Sequence, residues 1–313
     1  MNKPLRIFKN PYLIFKYLSG KGLTDWMPDE LYLKLMFRAT TGKSLNLDAP
    51  TMFNEKLQWL KLNNRNPLYT IMVDKVKVKE YVADILGEQY IIPTLGVWDN
   101  VDDIDFTTLP DRFVIKCNHN SGKGMYICRD KSKMDEVKIR ESLKQGMKED
   151  YFKLGREWPY KFVKRKVLAE QYMEDGSSII DSSPDIGCLR DYKIFCFGGV
   201  PKLIQVISDR ANKEKIDFYD TDWNRIDGLV GLTAGVCNSE ISIPRPHSLD
   251  EMLKGALILS ERIPFSRIDF YDINGRAYFG EITFFPASGF GTFYPDKWNH
   301  IIGEWVNIDF YQW

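Results

Sequence analysis

The chain is short of the residues that staple small folds or hold metals. Its 313 residues include five cysteines, Cys117, Cys128, Cys188, Cys196 and Cys237, with no Cys-x-x-Cys pair. An odd count without that spacing excludes a disulfide framework and a cysteine zinc site as organising features. Three widely separated histidines make no histidine metal cluster. There is no charge excess either, since 43 basic residues balance 43 acidic ones. General nucleic-acid binding needs a positive surplus to displace counterions, so nucleic acid is not an expected partner. No apolar run is long enough to cross a bilayer. The apolar stretch from Leu5 to Leu18 is broken by Arg6, Lys9, Pro11 and Lys16, and it lacks the uninterrupted core and cleavage site of a signal peptide. It reads first as a helix packed on its own domain, and second as a basic amphipathic segment resting on a membrane surface. Neither the P-loop pattern nor the dinucleotide fingerprint occurs. Repeats and low-complexity tracts are also missing. A cytoplasmic setting suits these features.

What remains is long enough for two or three compact domains around one cleft. Residues 1–95 read as mainly helical. Leu31, Leu35 and Met36 recur at helical spacing after Asp25–Pro28, and Phe53, Leu57, Leu60 and Lys61 continue the pattern as far as Asn63. Asp74 is the expected N-cap of a further helix ending at Leu86, with Gly87 just beyond. Lys75 and Lys79 share one face of it, and Lys75 reads either as a nucleotide contact or as a solvated side chain. Short apolar strands follow at Phe113 to Cys117, Met125 to Cys128 and Val167 to Met173. Past a Ser/Asp/Gly-rich link at 175–187, a hairpin turns at Gly198–Gly199, a helix covers Ser248 to Arg262, and strands lie at Ser266 to Tyr271 and Ala277 to Phe284. Helices first and antiparallel hairpins later predict an α+β fold. The expected units are 1–95, 96–174 and 175–313.

Three constellations carry chemistry. Lys116 precedes the glycine-containing turn Asn118–Gly124, whose amides can cradle phosphate; the same pattern also fits a plain hairpin loop with a snorkelling lysine. Arg267, Asp269 and Tyr271 share one strand face, and Glu281 and Thr283 share a face of the next. Neighbouring carboxylates at 269 and 281 repel unless a divalent cation lies between them, and Mg²⁺ takes such oxygens together with phosphates. The other reading is cross-strand charge on a wet face. Asp191 and Lys193 share a third strand face, as a phosphate contact or as a solvated pair.

Together these segments resemble the ATP-grasp superfamily. The narrower likeness is to the TupA-like ATP-grasp family, through Thr51–Trp59 (TMFNEKLQW), Pro93–Trp98 (PTLGVW), Lys116–Gly122 (KCNHNSG) and Asp191–Lys193. It spans about residues 25 to 300. The resemblance implies that Lys116 and a phosphate lid containing His119, Asn120, Ser121, Gly122 and Lys123 contact ATP. It makes Glu170, Gln171, Tyr172 and Met173 the adenine hinge, with Glu170 near the exocyclic amine and Tyr172 near the ring. Asp191 and Lys193 would flank the terminal phosphate, Asp269, Glu281 and Thr283 would hold Mg²⁺, and Arg267 would stabilise the developing oxyanion. Many relatives have Asn where Thr283 stands, and glycine is expected where Asn120 stands. The implied activity is ATP- and Mg²⁺-dependent joining of a carboxylate to an amine, with a sugar acid or polysaccharide as acceptor and a small amine as partner, in bacterial surface-polysaccharide biosynthesis. Many members of that family are labelled glycosyltransferases. A nucleotide-sugar glycosyltransferase, cued by Asp103-Ile-Asp105 or Asp220-Thr-Asp222, and a sugar kinase using the same cleft are the alternatives.

Overall fold

A computed structural model describes residues 12–175, 189–208 and 214–309. Five helices lead: α1 (Tyr12–Gly20), α2 (Asp29–Thr41), α3 (Phe53–Asn63), α4 (Leu68–Val73) and α5 (Lys77–Leu86). Asp29 and Glu30 in the first turn of α2 complement its dipole. Gly42, left-handed at φ 74°, closes it by donating its N–H to Arg38 O. At the start of α3 the Glu55 carboxylate accepts the N–H groups of Thr51 and Met52 at 3.0 and 3.1 Å, satisfying donors that a helix start leaves open.

The expected start of the next helix is corrected. It begins at Lys77, not at Asp74. The Asp74 carboxylate accepts Val76 N–H at 3.0 Å and the side-chain amide of Asn118 at 2.8 Å. A distant partner thus holds the chain in a turn before the helix begins.

A four-stranded antiparallel sheet follows, in the order β1 (Thr94–Trp98), β4 (Val167–Gln171), β2 (Phe113–Cys117), β3 (Met125–Cys128). Strand alternation sends Phe113, Ile115 and Cys117 into a core with Ile139 and Leu143 of α6 (Glu136–Lys148). The short helix α7 (Tyr151–Gly155) then leads back to β4. The sequence reading carried β4 to Met173, but pairing ends at Gln171, opposite Phe113 at the start of β2. β1, which the sequence pattern does not predict, is an edge whose side chains stay largely open to solvent, so it lacks the half-buried alternation that betrays a strand.

The second sheet is five-stranded and antiparallel: β10 (Arg276–Thr283), β9 (Phe265–Ile273), β5 (Asp191–Phe197), β6 (Val200–Ser208), β7 (Lys215–Tyr219). β7 is likewise not among the strands that the sequence pattern predicts. Gly198 and Gly199, both at positive φ, make the expected β5–β6 turn. The helix α8 (Leu249–Leu259) packs across this sheet. A small ribbon joins β8 (Val230–Gly231) to β11 (Phe293–Tyr294), and α9 (Lys297–Trp305) completes the order. One large core unites α3–α5 with the five-stranded sheet; the Phe53 ring lies 4.9 Å from Phe265 and 5.5 Å from Phe293. The fold is α+β, as expected. The link at 176–187 and the first part of the Leu5–Leu18 segment lie outside the described residues. No helix among the described residues is long and apolar enough to cross a membrane.

Candidate active site

A cleft of about 510 Å³ opens between the two large sheets, with a rim contributed by the helical region. That volume suits a small-molecule ligand. Seven cationic and four anionic side chains line it. A chain with no net charge therefore concentrates positive charge here, as a polyphosphate would require.

One wall is β2 with its following turn. Lys116 alternates away from the core side chains and faces the cleft. Its Nζ is 2.5 Å from Glu170 Oε2, while Lys79 Nζ is 2.5 Å from Glu170 Oε1. Burial would raise the Glu170 carboxyl, but Lys116 and Lys79 overcome it and hold the group below the usual range. Neither Glu170 oxygen is free of a lysine, so the contact to a nucleotide amine expected of Glu170 would have to compete with these pairs. Gln171, Tyr172 and Met173 line the cleft beyond it.

The turn is fixed from outside. Asn118 donates to Asp74 and to Lys164 O, and accepts Lys166 N–H at 2.7 Å. At Gly124 (φ 64°) a Cβ would meet Cys117 Sγ at 2.7 Å and Gly146 Cα at 3.1 Å, so only glycine fits. Asn120 is not left-handed; its side chain donates to Gly146 O at 3.3 Å. Asparagine is thus accommodated where the family resemblance expected glycine. Asn120, Ser121, Gly122 and Lys123 line the cleft. His119 does not; it is buried, with Nε2 3.2 Å from Glu149 O, and burial lowers its pKa.

The opposite wall is built by register. Lys193 on β5 stands opposite Asp269 on β9, which stands opposite Glu281 on β10. The three form one cross-strand row. A bulge creates its last member. Tyr278 pairs with Tyr271, yet Glu281 pairs with Asp269, because the register shifts between Phe279 and Glu281. Strict alternation would put residues 278 and 281 on opposite faces; the extra residue, Gly280, turns Glu281 and Thr283 back toward the cleft side. A Cβ on Gly280 would lie 3.0 Å from Asp269 O.

The charges interlock. Arg267 Nε and Nη2 donate to the Asp269 carboxylate at 2.7 and 2.8 Å, and Nη2 also reaches Glu281 Oε1 at 3.0 Å and Thr283 Oγ1 at 3.1 Å. Lys193 Nζ is 2.6 Å from Asp269 Oδ2 and 3.3 Å from Asp191 Oδ2. The two carboxylates therefore converge on one guanidinium nitrogen, as two acidic groups must when a cation sits between them. Their environments differ. Asp269 is sealed in, and desolvation raises its pKa despite Arg267 and Lys193. Glu281 is deeply placed yet keeps 38 % of its side chain open to the cleft. Burial would raise it, but Lys75, Arg267 and Lys193 draw it below the ordinary value. The two carboxylates are hard oxygen donors of the kind Mg²⁺ accepts alongside phosphate oxygens, and with no cluster of three or more acidic, His or Cys side chains among the described residues the remaining ligands would be phosphate and water oxygens. The residues present fit such an ion. Thr283 itself bonds Arg267 and does not line the cleft.

Of the residues expected to contact ATP or Mg²⁺ or to act in ligation, all except His119 and Thr283 line this one cleft. Lys75, Lys79, Arg129 and Tyr271 line it as well. Lys75 Nζ donates to Asn120 O at 2.7 Å, and burial depresses its pKa. Lys79 and Lys75 were legible as a pair, but their destination was not. The glycine inside an apolar strand was the available signal for the bulge. The acidic pairs of the glycosyltransferase reading are turn residues: Asp105 accepts Thr107 N–H at 2.9 Å, Asp220 accepts Asp222 N–H at 3.0 Å, and none of the four carboxylates lines the cleft.

No curated protein matches the chain. Among solved structures, D-alanine–D-alanine ligase from Bacillus anthracis complexed with ATP is 16% identical, with a TM-score of 0.38 over 69% of this chain and 55% of that one. The corresponding ligase from Helicobacter pylori is 15% identical, with a TM-score of 0.39 over 82% of this chain and 69% of that one. The ATP-grasp ligase PsnB, complexed with minimal precursor, Mg and ADP, is 10% identical, with a TM-score of 0.36 over 85% of this chain and 65% of that one. The chain thus spans little more than half the length of the Bacillus anthracis ligase. The TupA-like ATP-grasp family model matches residues 55–307, well over half the sequence and including both walls of the cleft; the chain belongs to that family.

Proposed function

We propose that this protein is an ATP- and Mg²⁺-dependent carboxylate–amine ligase that acts on a sugar acid or acidic polysaccharide unit and a small amine such as an amino acid, in the cytoplasm, during surface-polysaccharide synthesis. The observation that carries the reading is the Lys193–Asp269–Glu281 row facing Lys116 and the glycine turn across one cationic cleft. In this reading residues 96–174 and 175–313 act as two jaws, and residues 1–95 lend Lys75 and Lys79 to the rim.

Adenine would lie along Gln171, Tyr172 and Met173. Lys116, Lys193 and the amides of Ser121 and Gly122 would orient the phosphates, which lowers the entropic part of the barrier. Asp269 and Glu281 would hold Mg²⁺, whose contribution is to offset phosphate charge and to polarise the transferred group. A substrate carboxylate oxygen attacks the terminal phosphorus, the bond from that phosphorus to the bridging oxygen breaks, and ADP departs. The resulting acyl phosphate is attacked at its carbonyl carbon by the amine nitrogen. Phosphate leaves, the nitrogen loses a proton, and an amide remains. Arg267, fixed by Asp269 and Glu281, offers a rigid fork of donors to the oxyanion formed in that second step.

The test is ADP release from ATP and Mg²⁺ with panels of hexuronic acids and amino acids, with hydroxylamine present to trap an acyl phosphate as a hydroxamate. Hydroxamate formation that falls at least about 100-fold in Glu281→Gln supports the reading. A phosphorylated product stable to hydroxylamine would assign a sugar kinase instead. Thermal protection by nucleotide sugars but not by ATP would reject the proposal.

A further inference from the structure

Ahead of the family-matched residues, the surface of α1 and the turn after it has a composition unlike the rest of the chain. Residues 12–24 contain two basic residues, Lys16 and Lys21, and no acidic one, in a protein whose charges balance overall. The helix has two apolar sides. One is docked: the Phe15 ring lies 5.6 Å from Tyr32 of α2, and Ser19 Oγ is 2.6 Å from the Tyr32 hydroxyl. The other is open. Ile14 and Tyr17, one helical turn apart, are 44% and 66% exposed, and Leu23 and Trp26 in the following turn are 61% and 79% exposed.

Four large apolar side chains on so short a segment form an exposed patch that a purely structural role does not require. Trp26 is the informative member. Its indole N–H already donates to Leu23 O at 3.1 Å, so the ring can leave water without stranding a donor. Trp and Tyr of this kind favour the boundary between water and lipid. The lysines suit the same boundary. Lys16 and Lys21 are exposed and make no ion pair among the described residues, and Lys21 Nζ lies 5.9 Å from the Tyr17 ring. The acids that follow in the chain are engaged elsewhere: Asp25 with Lys153 at 2.9 Å, Asp29 with Arg65 and Arg156, both at 3.8 Å, and Glu30 with Lys34 at 2.5 Å. A protein partner with an apolar face would need no border whose lysines are unpaired and whose one acid, Asp25, is already neutralised by Lys153; an anionic bilayer attracts one.

We propose that the α1 face and the turn through Trp26 form a peripheral docking surface for an anionic lipid bilayer. The aromatic and aliphatic side chains would enter the headgroup boundary, and Lys16 and Lys21 would lie at the level of the lipid phosphates. The patch is joined rigidly to the body of the protein, since Arg156 Nη2 donates to Thr24 O at 3.1 Å and the Tyr32 hydroxyl donates to Leu154 O at 2.9 Å. Docking would therefore orient the whole molecule at the surface. This proposal stands on the patch alone and is independent of the catalytic reading.

The experiment is co-sedimentation of the full chain with vesicles of phosphatidylcholine containing about one-third phosphatidylglycerol, and with vesicles of phosphatidylcholine alone. Binding to the anionic vesicles that weakens as salt rises is expected. Lys16→Gln/Lys21→Gln should lower the partition coefficient by on the order of 30-fold, because each lysine near such a surface is worth about fivefold. Tyr17→Ser/Trp26→Ser, with both side chains already exposed, should keep the wild-type circular dichroism and melting midpoint and lose binding even to anionic vesicles at low salt. Equal recovery of both vesicle types, or full binding by both variants, would overturn the proposal. So would dimerisation in sedimentation velocity that the Tyr17→Ser/Trp26→Ser change abolishes while wild-type protein ignores vesicles, since that result assigns the patch to a second copy of the chain.

Discussion

Replacing Lys61 with methionine should destabilise the protein by about 3–5 kcal/mol. Lys61 sits on the apolar face of α3 and is 1% exposed. Its ammonium donates to Gln58 Oε1 at 3.0 Å, Gly155 O at 2.6 Å and Ser288 O at 2.7 Å, and lies 4.6 Å from the Phe290 ring centre. It ties α3 to the end of α7 and to the loop after β10, where Ala287 and Ser288 both have φ 50°. Methionine fills the space, so no cavity term arises. Three acceptors would lose this donor; the two carbonyls and the amide oxygen are buried, and each acceptor left unsatisfied costs about 1–3 kcal/mol. Glu157, bonded to Ser288 Oγ at 2.7 Å, would lose the cation that opposes its desolvation. Partial relaxation of the loop brings the sum to the stated range, a large share of a typical total of about 5–15 kcal/mol. The assay is urea denaturation, comparing midpoints at equal slope. It carries an internal check. Burial pushes Lys61 down to about 7, against the pull of Glu157 and Asp29. Between that value and the ordinary lysine value of about 10.4, the unfolded chain binds a proton that the native chain does not. Unfolding free energy from this group therefore rises with pH across that window, by at most about 1.4 kcal/mol per pH unit, and the gain is absent below it. That contribution should be lost in Lys61→Met, leaving the shallower slope due to Lys56, Lys75 and Lys79, which burial also lowers. A loss under about 1 kcal/mol, or an unchanged pH slope, would refute the reasoning.

Lys79→Met should leave Lys116 as the sole cation on the buried Glu170, weaken ATP binding about tenfold by titration calorimetry and lower the melting midpoint, because a buried pair and the bonds to Ile92 O and Thr94 Oγ1 are lost. Chelation with excess EDTA should abolish ADP release, and added Mg²⁺ should restore it; turnover that persists in EDTA would remove Asp269 and Glu281 from the metal role. Ala287→Gly should raise stability by about 1 kcal/mol, because a left-handed backbone strains a residue with a Cβ; equal midpoints in urea would indicate that Lys61 and Gln58 already offset the strain.

The legibility of this site followed from which residues depend on local pattern. Lys116 and the turn after it were visible because a lysine at a strand end and glycine-bearing polar residues form one contiguous stretch. Arg267 with Asp269, and Glu281 with Thr283, were visible because period-two alternation puts each pair on one face. Three matters were not visible. His119 lies in the expected lid, yet its ring turns to Glu149 O, a partner thirty residues away. Asp74 looks like a helix cap, but Asn118 from the turn after β2 draws on its carboxylate. β1 is a solvent-facing edge, which leaves no amphipathic trace.

By itself the sequence determined the helical start, the antiparallel strands and the residue types able to grip a polyphosphate, because those depend on short-range periodicity and turn chemistry. Only the tertiary structure decided that they meet. The bulge at Gly280 aligns Glu281 with Asp269 across strands, the second sheet brings Lys193 beside them, and the turn before α5 delivers Lys75 and Lys79 to the same cleft. Register and sheet placement are fixed by burial summed over the whole chain, so no local window of sequence contains them.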